Sequence, residues 1–413
     1  MCNGKGDDSG QQRRRATGEV LSMNAMKVVA AVIAVALAMY LTQQHSNGSG
    51  KPGPKQAGGP ATSPAATRQT APDALVPLRG MAIQVNSDYK PMEQFGKLID
   101  EIADLGANSI LISTAGYQEN SNSGEIFIDS RKSPSQEQWD QLLNYAHRKG
   151  LRVVLMPIVL LTHPRTSTEW RGVIEPPRWD EWWASYTDYI LYYAKIASRH
   201  PDTVEVFIIG SELISTEDQG DQWDKLIADV RSIYHGKLSY SSNWDHYERV
   251  PLWGKLDLVC MTTYHKLSDT INPPLEELVE AWKPVKKDIL AWQAKTDKPI
   301  LFTEVGWPSQ EGCSIEPWNY YRQDVATKTG LAEQANCYRS FIKAWDDEIK
   351  QATRVAGVLW WEWTPYGGGP TCNNYTPKGK PAEKVLRDWF KANGTPVVRQ
   401  AQAPASQTSA ERP

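Results

Sequence analysis

The sequence predicts one α/β domain closed into a (β/α)8 barrel, the TIM-barrel architecture, and three observations predict it. Eight short apolar runs alternate with stretches whose apolar residues recur every three or four positions. Strand and helix repeated in this order give a parallel sheet, because right-handed crossovers return each strand in the same direction. Eight such repeats in about 310 residues fit a closed barrel better than an open sheet, and no glycine-rich phosphate loop follows the first run, as a dinucleotide-binding sheet would require.

The strands are expected at residues 80–86, 108–113, 152–160, 204–213, 237–243, 256–264, 299–307 and 355–363. Between them, residues 92–105 carry Phe95, Leu98, Ile99, Ile102 and Leu105 on one helical face. Residues 135–149 begin at a serine and repeat the pattern through Trp139, Leu142, Leu143 and Ala146. Helices are also expected at 180–199, which is rich in aromatics, and at 221–234, 274–295, 330–348 and 380–390.

The 413 residues extend beyond this domain at both ends. Residues 1–27 are polar, with Arg13, Arg14, Arg15 and Lys27 concentrating positive charge, and residues 28–42 are apolar and uncharged. The span is short against the roughly 20 residues that usually cross a bilayer, yet a basic flank followed by an apolar core fits a signal segment or signal anchor. The basic side would stay cytoplasmic and the domain would be exported, in a single-pass arrangement at the cell membrane or, if the segment is cleaved, secreted. No small-residue cleavage site follows, which favours the anchor. Residues 43–77 are rich in Gly, Pro, Ala, Ser and Thr and read as a flexible linker, residues 78–392 as the barrel, and residues 393–413 as a disordered tail.

Net charge is −3, with Lys and Arg dispersed, so no nucleic-acid partner is expected. The seven His and five Cys show no zinc-like spacing, so neither a metal nor a cofactor is expected. Cys260 lies in a strand and reads as a core thiol. Export permits one disulfide among Cys313, Cys337 and Cys372, with all three pairings open.

Two apolar runs end in a glutamate: VEVFIIGSEL at Glu212 and PILFTEVGW at Glu304. A buried strand has no packing reason to end so, because an uncompensated carboxylate in apolar surroundings is costly. Barrel enzymes carry their sites at the C-terminal strand ends. Two carboxylates there, in a chain with 17 Trp and 17 Tyr, suit hydrolysis of a glycosidic bond, in which one acid protonates the leaving oxygen and the other attacks the anomeric carbon. The competing structural reading pairs each Glu with a rim Arg or Lys. Trp244, Trp307, Trp360, Trp361 and Trp363 follow or end strands, and an indole plane can cover the C–H face of a sugar. Strand alternation sends Trp360 and Trp361 to opposite sides. Ser242 and Asn243 end strand five and offer neutral polar groups. Tyr264 either hydrogen-bonds the attacking carboxylate, helping to keep Glu304 ionised, or is only a rim aromatic, and Arg171 either reaches the site or pins its loop. His163 and His265 lie near strand ends, but no G-x-S-x-G elbow supports a serine nucleophile.

The segments WRGVIEPPRWDEWWASYTDYILYYAKIA, VFIIGSEL, SYSSNWDHYERVPLWGKLDLVCMTTYHKL, PILFTEVGWPS and GVLWWEWTP occur in this order. With them the chain resembles glycoside hydrolase family 113, retaining β-mannanases with a (β/α)8 barrel, over nearly the whole domain. The resemblance implies endo-acting cleavage of β-1,4-mannan, Glu212 as acid/base and Glu304 as nucleophile. It also implies Asn243, Trp244, Tyr264 and one or more of the Trp360–Trp363 cluster around a neutral polysaccharide or oligosaccharide substrate. Many members of the wider clan carry Asn directly before the acid/base, holding the sugar 2-hydroxyl; this chain has Ser211, with shorter reach and no amide. Two alternatives stand beside this expectation: hydrolysis of another β-glycan or exopolysaccharide, and a membrane-tethered barrel that binds carbohydrate without catalysis.

Overall fold

The structure, a computed structural model, describes residues 76–394. The basic segment, the apolar span, nearly all of the linker and the tail beyond Gly394 lie outside the described residues. Among the described residues, no helix is long and apolar enough to cross a membrane.

Eight strands pair in chain order, and the last returns to the first, closing a barrel in which every pairing is parallel. They are β1 (Leu78–Gln84), β2 (Ser109–Gln118), β3 (Arg152–Leu161), β4 (Val204–Ser211), β5 (Lys237–Ser242), β6 (Val259–Thr262), β7 (Ile300–Val305) and β8 (Val355–Trp360). Around them run α1 (Pro91–Leu105), α2 (Gln136–Arg148), α3 (Trp179–Ser198), α4 (Gly220–Arg231), α5 (Leu275–Thr296), α6 (Lys328–Gln351) and α7 (Pro381–Asn393). Two 3-10 turns, Tyr247–Arg249 and Trp253–Lys255, occupy the β5–β6 connection where a helix would complete the ring.

Period-two alternation sorts the strand residues into two layers. Ala82, Leu111, Val154, Ile208, Cys260 and Leu301 fill the barrel interior, while Met81, Ile83, Ile110, Ile112, Val153 and Phe302 face the helices. The expected faces of α1 and α2 are the buried ones. Ser135 opens α2 in a capping box: its hydroxyl accepts from Gln138 N at 3.3 Å, and Gln138 Oε1 accepts from Ser135 N at 2.8 Å. The aromatics of α3 explain that helix's composition. They fill the layer against β2–β4, and their hydroxyls reach strand carbonyls, Tyr186 to Ile209 O at 2.7 Å and Tyr189 to Ile158 O at 2.8 Å.

Several strands are shorter than expected at their C-terminal ends. The runs were expected to continue as strand through Glu212, Asn243, Tyr264, Trp307 and Trp363, but pairing stops before each of them. The register shifts between Ile208 and Ser211 in β4 and between Phe302 and Val305 in β7, and Glu212 takes a left-handed φ of 55°. Such irregularities re-aim side chains at a sheet rim. Here they lift side chains out of strict alternation at the mouth.

The four cysteines among the described residues are free thiols. Cys260 is buried in the barrel interior, as expected. Glu333 of α6 accepts from Gly312 N at 2.9 Å and from Ser314 N at 3.0 Å, which seats Cys313 against the same helix face as Cys337. The two buried thiols are neighbours, whereas Cys372 lies beside Lys380.

Candidate active site

The barrel mouth gathers side chains from the ends of β3 to β8. Glu304 lies inside β7 and is 6 % exposed. Its carboxylate accepts the Tyr264 hydroxyl, from just beyond β6, at 2.9 Å, and its carbonyl accepts from Thr263 N at 2.9 Å. Glu212 lies one residue past β4, with its N–H bonded to Ser241 O of β5 at 2.9 Å. A non-glycine residue held at positive φ stores strain of a kind that concentrates at functional sites. Arg171, in the 3-10 turn Arg171–Val173 after β3, donates to Glu212 Oε2 in a partly buried ion pair.

The two acids influence each other. Burial pushes the Glu304 carboxyl up to about 7; the charge of Glu212 adds to that push, the Arg171 guanidinium and the Tyr264 hydrogen bond oppose it, and Glu362 adds a smaller push. Glu212 is also raised, by burial first, with Arg171 pulling it back and Asp245 pushing further. Tyr264 was expected to keep Glu304 ionised. Its bond does favour the charged form, but burial and Glu212 outweigh it. Arg171 thus favours the charged form of Glu212, while burial and the neighbouring acid disfavour the charged form of Glu304.

A purely structural carboxylate in this molecule looks different. Buried Glu333 accepts Gly312 N, Ser314 N, Ser314 Oγ and Asn272 N at 2.6–3.0 Å and is satisfied by its own loop. Glu304 has one side-chain donor, from an element that also lines the mouth.

Among the neutral groups, Ser211 Oγ and Asn243 Oδ1 are buried without a hydrogen-bond partner. Asn243 directly follows β5, beside Trp244, whose N–H donates to Thr262 Oγ1 at 3.1 Å. The Trp244 ring stacks on Trp318 at 5.9 Å and meets the His265 ring edge at 4.9 Å. His265 is buried, and this holds its imidazole down at about 4, so it stays neutral at physiological pH.

The tryptophans divide. Trp361 is partly exposed and rests on the barrel-interior cluster, so it faces the mouth, while Trp360 points the other way as alternation required. Trp360, however, is fully buried against Tyr338, Phe341 and Trp389 of α6 and α7. Trp307 is fully buried between Trp282 of α5 and Tyr338 of α6. Neither can present a face to a sugar, which corrects the expectation for both: an outward strand position at the rim is covered by the helix layer. Trp363 is 2 % exposed, with its indole N–H bonded to Glu101 Oε2 of α1 at 2.8 Å; it walls the site rather than forming a platform.

Three further residues at the mouth were not singled out in the sequence. Glu362 follows β8 and accepts Gln84 Nε2 of β1 at 2.7 Å. Trp318 and Tyr375 come from long loops, and Tyr375 packs 6.2 Å from the Tyr264 ring. Glu362 carried the same signal as Glu304, an acid inside an apolar aromatic run, whereas the loop residues have no periodicity to mark them.

Comparison with known proteins agrees with this geometry. The sequence profile described as Glycoside Hydrolase Family 113 matches residues 84–369. Among solved structures, a GH113 β-1,4-mannanase complex superposes with a TM-score of 0.66 at 25 % identity, covering 76 % of this chain and 99 % of that one. The GH113 β-mannanase from Alicyclobacillus acidocaldarius, solved with ManMIm, gives 0.67 at 26 % identity, covering 77 % and 98 %. A Faecalibacterium prausnitzii β-glucuronidase shares the fold alone, at 0.52 and 13 % identity, covering 77 % of this chain and 49 % of that one. No curated protein matches the chain. With a family profile running from the end of β1 to the loop after β8, on a closed eight-stranded barrel, the chain belongs to glycoside hydrolase family 113.

Proposed function

We propose that this protein hydrolyses β-1,4-mannan with retention of configuration, Glu304 acting as nucleophile and Glu212 as acid/base. The observation that carries the reading is the acid pair at the mouth: Glu212 one residue past β4 and partnered by Arg171, Glu304 near the end of β7 and held by Tyr264, each raised by burial. In the first step a Glu304 oxygen forms a bond to the anomeric carbon while the glycosidic C–O bond breaks and Glu212 gives its proton to the departing oxygen. In the second, Glu212 takes a proton from water, the water oxygen bonds to the anomeric carbon, and Glu304 leaves as carboxylate.

The neutral lining supports a neutral polymer: Ser211, Asn243, Trp244 and Trp361 carry no charge, and both mannanase structures named above align over nearly their whole length. A panel of defined β-mannans, β-glucans and mixed exopolysaccharides with product analysis tests it. Release of β-1,4-manno-oligosaccharides is the expected result, and turnover of non-mannose polymers alone would remove the mannan assignment.

The Arg171–Glu212 pair favours one second reading, a barrel that binds sugar without cleaving it. An oxocarbenium mimic separates the two: a hydrolase holds it far more tightly than the ground-state sugar, and a binder does not. The basic and then apolar N-terminal sequence supports a domain tethered outside the cytoplasmic membrane.

A further inference from the structure

Leu213, the residue after Glu212, is held on both sides. Its N–H donates to the Tyr240 hydroxyl at 2.7 Å, and its carbonyl accepts from Thr216 N at 2.9 Å and from Thr216 Oγ1 at 2.8 Å. Tyr240 lies within β5 and is fully buried. Its own proton goes to Glu217 Oε1 at 2.7 Å, and His246 Nε2, from the β5–β6 connection, lies 2.7 Å from Glu217 Oε2. One buried carboxylate thus joins the segment that carries Glu212 to the segment that carries Asn243 and Trp244. In the turn between Leu213 and Glu217, Ser215 Oγ donates to Ile174 O at 2.6 Å, which ties the same segment to the turn bearing Arg171.

Space filling accounts for the Tyr240 ring, which packs on Trp223 and Trp253, but not for its hydroxyl. Tyr186, Tyr189 and Tyr234 in the same layer send their hydroxyls to strand carbonyls. The Tyr240 hydroxyl instead accepts a backbone N–H, while burial first and then Glu217 keep it protonated. An acceptor at Glu217 aims the O–H that way and leaves a lone pair turned toward Leu213 N. Glu217 also differs from Glu333, since its partners come from other elements and not from its own loop. The clamp acts one residue from Glu212, whose left-handed φ of 55° persists only where the surroundings over-determine it.

We propose that Tyr240, oriented by Glu217, is a positioning residue for the acid/base: by holding Leu213 N–H it fixes the backbone at Glu212, and so the place where the Glu212 carboxyl meets the departing oxygen. The inference rests on the glycoside hydrolase reading of Glu212 and Glu304.

The full chain is compared with its Tyr240→Phe variant on two aryl β-mannotriosides that differ only in the leaving group. Phenol is a poor leaving group and needs a proton from Glu212, whereas 2,4-dinitrophenolate departs without one. A misplaced acid predicts that kcat/KM for the phenyl substrate falls about 10- to 100-fold, and for the dinitrophenyl substrate no more than about threefold. Release of the sugar from Glu304 still needs Glu212 as base, so kcat for the dinitrophenyl substrate should fall as well. Azide should restore it, because azide bonds to the anomeric carbon without giving up a proton and yields the glycosyl azide. Equal losses of kcat/KM on both substrates would show a merely structural role and overturn the inference, as would no loss on either. If Tyr240→Phe does not fold, Glu217→Met, which removes the acceptor that aims the hydroxyl, is read in the same way. If the wild-type protein cleaves neither substrate, the mannanase reading fails separately. Crystal structures of the full chain and the variant then decide the positioning: a Glu212 carboxyl displaced by about 1 Å or more supports it, and one left in place overturns it.

Discussion

Glu304 is held where burial and the charge of Glu212 both oppose its ionisation, and that conflict has consequences for activity and stability. Replacing it by alanine should lower turnover by on the order of 10⁴-fold or more, with near-UV circular dichroism unchanged. Glu304→Gln should make the protein more stable than wild type above pH 7. The folded-state carboxyl is raised above its ordinary value, so the penalty on the folded state builds as pH climbs from 4.5 to about 7 and is complete above that, and the gain should vanish below about pH 4. Thermal melts at pH 4 and pH 8 check this; equal shifts at both would contradict it. Arg171 draws Glu212 downward, so Arg171→Met should move the basic limb of the kcat/KM profile to higher pH. At this scale the sequence was informative where an apolar run ended in a polar group, as at Glu212, Asn243, Tyr264 and Glu304. It misled at Trp307 and Trp360, because alternation fixes which residues share a side and leaves open which side is the mouth. It passed over Glu362, whose run read as an aromatic cluster.

Elements deliver these residues through departures from regular strand geometry. Gly306, two residues beyond Glu304, lies so close to the segment after β8 that an added Cβ would meet Trp361 O at 2.1 Å. Gly306→Ala should therefore force β7 and the Trp361–Glu362 segment apart, lowering kcat/KM more than it lowers the melting temperature. An activity change no larger than that of a remote core substitution would contradict this. The capping box of α2 is far from the mouth, and Ser135→Ala should cost about 1 kcal/mol in denaturant unfolding and leave kcat unchanged. The seven helices were legible from their three-and-four spacing, whereas the replacement of a helix by 3-10 turns between β5 and β6 was not read from the sequence. Strand ends were not, because a register shift in β4 or β7 and a left-handed φ at Glu212 arise from neighbouring-strand packing that one segment's own pattern does not contain.

For the whole molecule, closure of the barrel is what brings β4 and β7 residues to one mouth from widely separated positions in the chain. The count of eight repeats made that architecture legible before any contact was known, since strand–helix repetition with one crossover hand leaves few other ways to bury both layers. The N-terminal reading is a matter of charge and hydropathy alone. It predicts that protease added to intact cells degrades the barrel domain, and complete protection would refute export. The central claim, a covalent intermediate on Glu304, is tested most directly by trapping it. The protein is incubated with a 2-fluoro β-mannoside bearing a good leaving group, and the peptides are mapped by mass spectrometry. The account predicts one fluoromannosyl group on Glu304; a label on Glu212 or Glu362, or turnover with no covalent adduct and the opposite anomer released first, would contradict it.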